Sequence, residues 1–236
     1  MGVTIDEDLK FDLHISEKVK TANNIMAVIR RSFTYLDKSI FTRLFKSLVR
    51  PHLEYASSVW YPMLQKSKEM IENVQRRATK RLACCKGLEY EDRLKKLDLP
   101  CLAYRKMRGD LIETYKMCTE KLDKEIIPPL TKASDIHERN TRGSTWHLHR
   151  TKAKMNIRSK AFRNRVVSPW NGLSKRVFAA PNVKCFERRL DRYWNRFNLK
   201  YSFENCLRFE KEHQHTTNPG NREEYEEDED LESQVP

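Results

Sequence analysis

Glycine is scarce in this chain, where it accounts for 6 of the 236 residues. The sequence contains neither GxxxxGKS/T nor GxGxxG, which excludes the glycine-rich loops that hold phosphates in two large classes of nucleotide-binding fold. GxSxG and CxxC are also absent, which removes the usual signatures of a serine hydrolase and of a paired-thiol redox or zinc site. None of these enzyme classes is therefore indicated.

Long apolar runs are absent as well. No stretch of about 18 apolar residues occurs, so we expect no membrane-spanning helix and no membrane partner. Asp6, Glu7, Asp8 and Asp12 interrupt the N-terminal region, so we expect no signal peptide. The six cysteines stand at irregular spacings and make no disulfide pattern. We therefore expect free thiols and an intracellular, reducing compartment, with nucleus and cytoplasm both open.

Positive charge dominates the chain, which has a formal net charge of +13. The segment 222–232 (REEYEEDEDLE) carries eight acids and one base, and without it the chain has 45 bases and 25 acids. A body with such an excess attracts polyanions, nucleic acid first and an anionic membrane surface second. A protein with many solvated lysines is the alternative.

The composition favours helices, because Leu, Lys, Arg and Glu are frequent and glycine is rare. Apolar residues recur at helical spacing. Ser16, Asp37 and Ser67 are predicted to cap the first three helices, and Pro51 is predicted to kink or divide the second. Further helices are predicted over 90–97, 102–117, 158–173 and 182–197.

The predicted fold is mainly α and has four parts. A helical domain covers residues 1–122. An irregular basic linker, rich in Thr, Ser, His, Asn and Arg, covers 123–157. A C-terminal helical segment follows over 158–200, and residues 201–236 are predicted to be a disordered tail that is acidic at its end.

Metal chemistry is only weakly indicated. His147-x-His149 would place two imidazoles on one side of a strand, but no cysteine or second spaced pair accompanies them. Carboxylates in the helical parts are mixed with Lys and Arg, as on solvated helix faces. No aspartate pair has the strand–turn–strand setting that two-metal phosphoryl transfer needs. We therefore expect no metal site, no catalytic residue, no cofactor and no small-molecule substrate.

A basic face is predicted on the third helix. Arg76, Arg77, Lys80 and Arg81 recur at spacings that place them opposite and beside an apolar stripe containing Val74. A buried stripe with a basic face suits a helix that lies along a phosphate backbone. An ordinary solvated face is the alternative, and the sequence leaves both open.

A second basic cluster has seven basic residues within sixteen positions and few acidic residues among them. It consists of Arg150, Lys152, Lys154, Arg158, Lys160, Arg163 and Arg165. These charges repel one another without a counter-charge, which favours a polyanionic partner. Trp146 and Tyr104 lie near basic residues and could stack on bases, although aromatic anchors of the core give the same pattern.

Four blocks of the sequence carry a family pattern. The blocks are residues 1–33 (MGVTIDEDLKFDLHISEKVKTANNIMAVIRRSF), 44–60 (LFKSLVRPHLEYASSVW), 71–82 (IENVQRRATKRL) continuing into 90–117 (YEDRLKKLDLPCLAYRKMRGDLIETYKM), and 162–194 (FRNRVVSPWNGLSKRVFAAPNVKCFERRLDRYW). In content and order they resemble the C-terminal part of a reverse transcriptase from a non-LTR retrotransposon of the jockey or chicken-repeat type. Ser174 departs from the family, which has a proline after the position of Leu173.

The resemblance implies a thumb-like helical bundle, which in this family grips the primer–template duplex, followed by the region after the thumb. The family's catalytic aspartates bind Mg²⁺ and lie upstream of the first block in a Y/F-x-D-D turn, which this sequence lacks. Its fingers and palm are also missing. The chain is therefore expected not to be an enzyme on its own.

Two hypotheses for function follow. The first is a fragment of an RNA-directed DNA polymerase that retains sequence-independent binding of primer–template nucleic acid, including RNA–DNA hybrids, through the two basic clusters. The second is a host-recruited helical module that binds protein. A palm domain supplied in trans would add a catalytic role. Without its palm, the thumb is expected to expose an apolar patch around Ile25–Ile29 and Phe41–Phe45.

Overall fold

The computed structural model describes residues 2–119, 130–136 and 146–215. Within these segments the chain is mainly helical, which confirms the predicted class, and extended backbone pairs only at one antiparallel bridge, Lys132 with Leu148. The α-helices of the described segments are α1 (Asp12–Ser32), α2 (Lys38–Leu44), α3 (Arg50–Glu54), α4 (Gln65–Lys80), α5 (Tyr90–Leu97), α6 (Leu102–Cys118), α7 (Asn156–Lys160), α8 (Phe162–Arg165), α9 (Val167–Asn171), α10 (Lys175–Phe178), α11 (Val183–Asn195) and α12 (Phe203–His215). A π-helical turn covers Phe45–Val49, and 3₁₀ turns cover Ala83–Cys85 and Ala133–Asp135.

The first helix begins a turn earlier than the sequence predicts. The N-cap of α1 is Phe11, whose backbone is left-handed with φ 59°, and the predicted cap Ser16 is an exposed residue within the helix. Burial of His14 and Ile15, both 1% exposed, fixes this first turn against the core. The prediction for Ser16 is therefore wrong, because packing rather than a side-chain cap decides where α1 starts.

The second helical region is irregular next to the predicted site, Pro51: a π-helical turn interrupts the α-helical pattern there, while the backbone stays helical over 38–54. The chain leaves α2 through the π-helical turn Phe45–Val49 and continues into α3. Pro51 has no N–H to donate to the carbonyl group one turn earlier, so a regular α-helical hydrogen bond is missing there. The predicted cap Asp37 is confirmed, since its carboxylate accepts a hydrogen bond from the Ile40 N–H at 2.7 Å.

Helices α4 and α6 occupy the centre of the fold. Helix α4 packs on α1, α5 and α6, and α6 also contacts α9, α11 and α12. The buried carboxylate of Glu72 on α4 accepts hydrogen bonds from the N–H groups of Leu102 and Ala103 at the start of α6. It thereby satisfies donors that an α-helix leaves unpaired at its N-terminus. Ser67 lies inside α4 instead of capping it, and its hydroxyl donates to Asp12 at 3.1 Å.

The single helix predicted over 158–173 is three short helices, α7, α8 and α9. Ala161 separates the first two, because its ψ of 148° is extended rather than helical. Pro169 lies in the first turn of α9, where a missing N–H breaks no hydrogen bond. The breaks turn Val167 and Trp170 into the core, where they are 3% and 0% exposed.

Order continues beyond residue 201, which corrects the predicted start of the disordered tail. Helix α12 buries Phe203, Cys206 and Phe209, which recur every three residues. The ring of Phe209 lies 5.9 Å from that of Trp194 in an edge-on contact. Residues 216–236, including the acidic segment, lie outside the described residues.

One hydrophobic core joins the parts that the sequence separates. Its buried side chains run from Ile15 to Phe209. The ring of Tyr115 on α6 stacks on Phe186 of α11 with 4.3 Å between centroids. Helix α6, assigned to the predicted domain 1–122, therefore shares its core with the predicted segment 158–200. Parts of the predicted linker, 123–129 and 137–145, lie outside the described residues.

The cysteines and the apolar surface also bear on the predictions. All six cysteines are free thiols, as expected. None of the helices in the described segments is both long and apolar enough to cross a membrane. The apolar patch expected around Ile25–Ile29 and Phe41–Phe45 is corrected in part. Ile29, Phe41 and Phe45 are buried, at most 4% exposed, whereas Val28 within the first range is 52% exposed and Ile25 is half-buried.

Candidate nucleic-acid interface

The predicted basic face of α4 lies on the surface. Arg76, Arg77, Lys80 and Arg81 are all exposed. The side chains that anchor α4 from its other faces are buried; they include Ile71, Val74, Ala78 and Leu82. Helical periodicity therefore places these four basic side chains together on the solvent-exposed side of α4, as the sequence indicates.

Arg76 is the member of this face with a defined protein contact. Its guanidinium carbon lies 4.8 Å from the ring centroid of Tyr90 on α5, a cation–π distance. The Tyr90 hydroxyl in turn donates to Glu72 at 2.5 Å. Arg76 is thus held over α5, at one edge of the basic face.

Helices α1 and α4 enclose a cleft next to Arg77 and Arg81. Its volume is about 320 Å³, and it is lined by Asn23, Met26, Arg30, Val74, Arg77, Ala78 and Arg81. Arg30 therefore approaches the cleft from α1, and the other two arginines from α4 and its C-terminal cap. The Nε of Arg30 donates to the carbonyl oxygen of Met26 at 3.1 Å, which holds the stem of this side chain along its own helix.

The three arginines of the cleft have no carboxylate partner within the described segments. No Asp or Glu there lies within 4.0 Å of Arg30, Arg77 or Arg81. Other arginines are paired, as Arg108 is with Asp191. A cluster of positive charges without counter-charges favours binding of an anion, and phosphate matches the donor geometry of guanidinium groups.

The second predicted cluster is mostly, but not wholly, on the surface. Its exposed members are Lys152, Lys154, Arg158 and Arg163, and Arg150 and Lys160 are half-buried. Burial is the main cause that lowers the pKa of Lys160, and the nearby charge of Lys68 lowers it further. This group therefore forms a basic patch around α7 and α8.

Arg165 does not belong to that patch, which corrects its predicted assignment. Its side chain is 7% exposed and forms an ion pair with Asp110 of α6. The guanidinium also donates to the carbonyl oxygens of Ser57 and Ser58 at 3.2 and 3.1 Å. With these acceptors in the protein interior, Arg165 is a structural residue.

The second cluster approaches α4 on the side opposite Arg77. Lys160 lies close enough to Lys68 of α4 for their charges to interact. Lys68 and Arg77 are nine residues apart, which is two and a half turns of an α-helix. Lys68 and Arg77 therefore point in opposite directions, so Arg77 faces away from Lys160.

The two aromatic residues considered for base stacking have roles in the protein. Tyr104 is 4% exposed, and its hydroxyl donates to Asp191 at 2.8 Å. The carbonyl oxygen of Trp146 accepts a hydrogen bond from the indole N–H of Trp170 at 2.8 Å. Tyr104 is therefore an anchor of the core, while Trp146 is half-buried and fixed through its backbone.

Sequence reasoning missed Arg30 and a basic row on α11. Arg30 follows Met26 by one turn, but its approach to α4 depends on how the helices pack. The row consists of Lys184, Arg188, Arg192 and Arg196, all exposed and four residues apart. That spacing was visible in the sequence, and it places these side chains along one helix face.

Two ionisable side chains inside the fold have strongly displaced pKa values. Burial raises the pKa of Glu72 to about 7, against the opposing effect of its hydrogen bonds. Burial lowers the pKa of Lys106 to about 7. Its ammonium donates to the carbonyl oxygens of Ser57 and Trp60 at 3.0 and 2.9 Å. These groups have partners in the protein and lie outside the cleft of Arg30.

Metal-binding geometry is absent from the described segments, in which no three His, Cys, Asp or Glu side chains form a group that could hold an ion. The peptide N–H of His149 and the carbonyl group of His147 both bond to the backbone of residues 131–133. The arrangement that stands out is therefore the arginine-lined cleft between α1 and α4. No protein-family model, curated protein or solved structure matches the chain.

Proposed function

We propose that this chain is the C-terminal, thumb-containing part of a non-LTR retrotransposon reverse transcriptase, and that it binds nucleic-acid duplexes independently of their sequence. The four blocks described above support the family assignment by their length and order. The mainly helical fold is compatible with a thumb-like bundle. Primer–template duplexes, RNA–DNA hybrids included, are the proposed partners.

The observation that carries the binding proposal is the set of arginines at the cleft that form no ion pair with a described carboxylate. Arg30, Arg77 and Arg81 lack carboxylate partners among the described residues, and Arg76 and Lys80 extend the same exposed face. Binding to phosphates releases condensed counterions, which makes such a surface favourable for duplexes at low salt. Contacts of this kind position a duplex and read no bases.

No catalytic step is assigned to the chain. In the family, Mg²⁺ is held by aspartates of the Y/F-x-D-D turn, and this sequence contains no such turn. The proposed role of this chain is to hold the duplex. Polymerisation would need a palm domain in addition.

The test is fluorescence anisotropy of the full chain with a labelled RNA–DNA primer–template, at several salt concentrations. We expect log Kd to rise linearly with log salt concentration. In the double variant Arg77→Ala/Arg81→Ala, affinity should fall at every salt concentration. The salt slope should decrease by about 2, because each arginine that is removed leaves one phosphate without its cation.

The matched control is Arg188→Ala/Arg192→Ala, which removes the same charge from the exposed row on α11. If both double variants lose affinity equally, binding reflects net charge alone and the assignment to α4 fails. If the folded, monomeric chain binds no duplex at low salt, the nucleic-acid proposal itself fails.

Binding of a protein partner is the second candidate function, and exposed apolar side chains favour it. Val28, Tyr35 and Leu48 are 52%, 74% and 46% exposed at the end of α1 and around α2. Such residues bind protein surfaces more readily than phosphates. Salt-insensitive binding of a protein, together with no affinity for duplexes, would favour this function.

A further inference from the structure

The cleft between α1 and α4 is larger than a phosphate contact requires. Its volume of about 320 Å³ lies at the lower end of the range of about 300–1,000 Å³ found for small-molecule pockets. A phosphate within a duplex backbone needs only a few donors on an open surface. The volume therefore suits a ligand with a planar group as well as an anion.

The floor and the walls of the cleft differ in character. Met26, Val74 and Ala78 form an apolar floor and are 5%, 2% and 7% exposed. The guanidinium groups belong to Arg30 on one side and to Arg77 and Arg81 on the other. An apolar floor suits the face of a base, and guanidinium planes both stack on bases and bind phosphate.

Asn23 completes the lining from α1, one turn before Met26. Its side-chain amide has both a hydrogen-bond donor and an acceptor. Bases present both kinds of group along their edges, but only when they are unpaired are the Watson–Crick edges free. A base within a duplex is stacked and paired and cannot reach a cleft between two helices.

We propose that this cleft binds one unpaired nucleotide at the end of a duplex, with the base against the apolar floor and the phosphate among the guanidinium groups. This inference rests on the proposed function, because it assigns a specific site to one part of the bound nucleic acid. It adds a preference for overhanging ends to an otherwise sequence-independent interaction.

The experiment compares three hairpin duplexes with the full chain. One is blunt, one carries a single unpaired 2-aminopurine nucleotide, and one carries an abasic nucleotide in that position, which retains the phosphate. Anisotropy of a dye in the hairpin loop gives each Kd, and 2-aminopurine emission reports on the surroundings of the base. We expect the overhang to bind about tenfold tighter than the blunt end, or about 1.4 kcal/mol, because the unpaired base gains a stacking contact in the cleft. The abasic hairpin should bind more weakly than the 2-aminopurine hairpin, because it lacks the base, and at least as tightly as the blunt one, because it retains the phosphate.

Two variants fill the cleft without changing its charge. Ala78→Leu extends the floor into the cleft, and Asn23→Phe fills it from α1, so the test survives if one of them fails to fold. Both should abolish the preference for the overhang. The control Ala179→Leu, at an exposed alanine outside the cleft, should retain it. Circular dichroism verifies folding.

The outcomes separate this inference from the proposed function. Equal affinity for all three hairpins, with unchanged 2-aminopurine emission, overturns the inference and leaves duplex binding intact. An overhang preference that survives both filled variants places the nucleotide elsewhere and also overturns it. No binding to any hairpin at low salt overturns the proposed function, and the inference falls with it.

Discussion

Arg165 and Asp110 form a two-point ion pair that joins α8 to α6. The Nε of Arg165 donates to one carboxylate oxygen at 2.9 Å, and an Nη donates to the other at 3.0 Å. Their side chains are 7% and 10% exposed. Because the same guanidinium also donates to Ser57 and Ser58, it ties a third segment to the two helices.

Replacement of Arg165 by alanine should destabilise the fold severely. Removing one partner leaves Asp110 charged and buried without its counter-charge, which typically costs about 3–5 kcal/mol. The matched control is Arg163→Ala, which removes an exposed arginine from the same short helix and should change the free energy of unfolding by less than about 1 kcal/mol. Urea denaturation measures both. Similar losses in the two variants would contradict a special role for Arg165.

The contrast between these two arginines shows what the sequence could and could not reveal. Arg163 and Arg165 stand in the same basic run, and nothing local distinguishes them. The partner Asp110 is 55 residues away, and only the packing of α8 on α6 brings it close. Local signals worked where the contact is local, as for the Asp37 cap and for α5, whose observed bounds Tyr90–Leu97 are the predicted ones.

For the candidate site too, the sequence predicted the features of a single helix but not those that depend on the packing of two helices. Exposure of Arg76, Arg77, Lys80 and Arg81 follows from the period of one helix. The cleft needs a second helix, because Arg30 reaches it only through the packing of α1 against α4. The order of α12 was missed for another reason: its apolar residues are sparse and lie among charged ones.

Replacement of Phe209 by alanine tests the ordered state of α12. The ring is 6% exposed and lies between Trp194 and His213, with 3.9 Å between its centroid and that of His213. Loss of a buried phenyl ring costs about 3–5 kcal/mol in packed cores. We expect a decrease of about 3 kcal/mol in the free energy of unfolding, measured with urea. Arg208→Ala, at a neighbouring position on the same helix, is the control. If Phe209→Ala is as stable as this control, α12 does not pack on the core in solution.

Glu72 should make the protein less stable as the pH rises from about 5 to 7. Burial raises the pKa of its carboxyl from 4.5 to about 7. Over this interval the unfolded chain releases the proton while the folded chain retains it. The contribution of Glu72 to the free energy of unfolding is fully present below pH 4.5 and is lost as the pH passes 7. In total it amounts to about 3 kcal/mol.

The variant Glu72→Gln isolates this effect. Glutamine does not titrate and retains an oxygen that can accept from the N–H groups of Leu102 and Ala103. The free energy of unfolding from urea titrations at pH 5 and pH 7.5 should fall in the wild type and change less in the variant. An equal fall in both proteins would show that other groups cause the pH dependence.

Lys106 should have the opposite effect at higher pH. Burial lowers the pKa of its ammonium from 10.5 to about 7. Above pH 7 the folded chain loses this proton while the unfolded chain retains it up to about pH 10.5, so stability rises with pH in this interval. The ammonium lies 4.2 Å from the ring centroid of Trp60 and donates to two backbone carbonyls. These contacts stabilise the charged form, but burial destabilises it by more.

Lys106→Met removes the titrating group and keeps much of the apolar stem. Urea titrations at pH 7.5 and 9.5 should show a gain in the free energy of unfolding for the wild type relative to the variant. The comparison must be relative, because burial raises the pKa of the Cys85 and Cys118 thiols to about 11, which lowers the stability of both proteins as the pH passes 9. If the difference between the two proteins is constant across this interval, Lys106 stays charged in the folded state. Its hydrogen bonds to Ser57 and Trp60 would then outweigh the effect of burial.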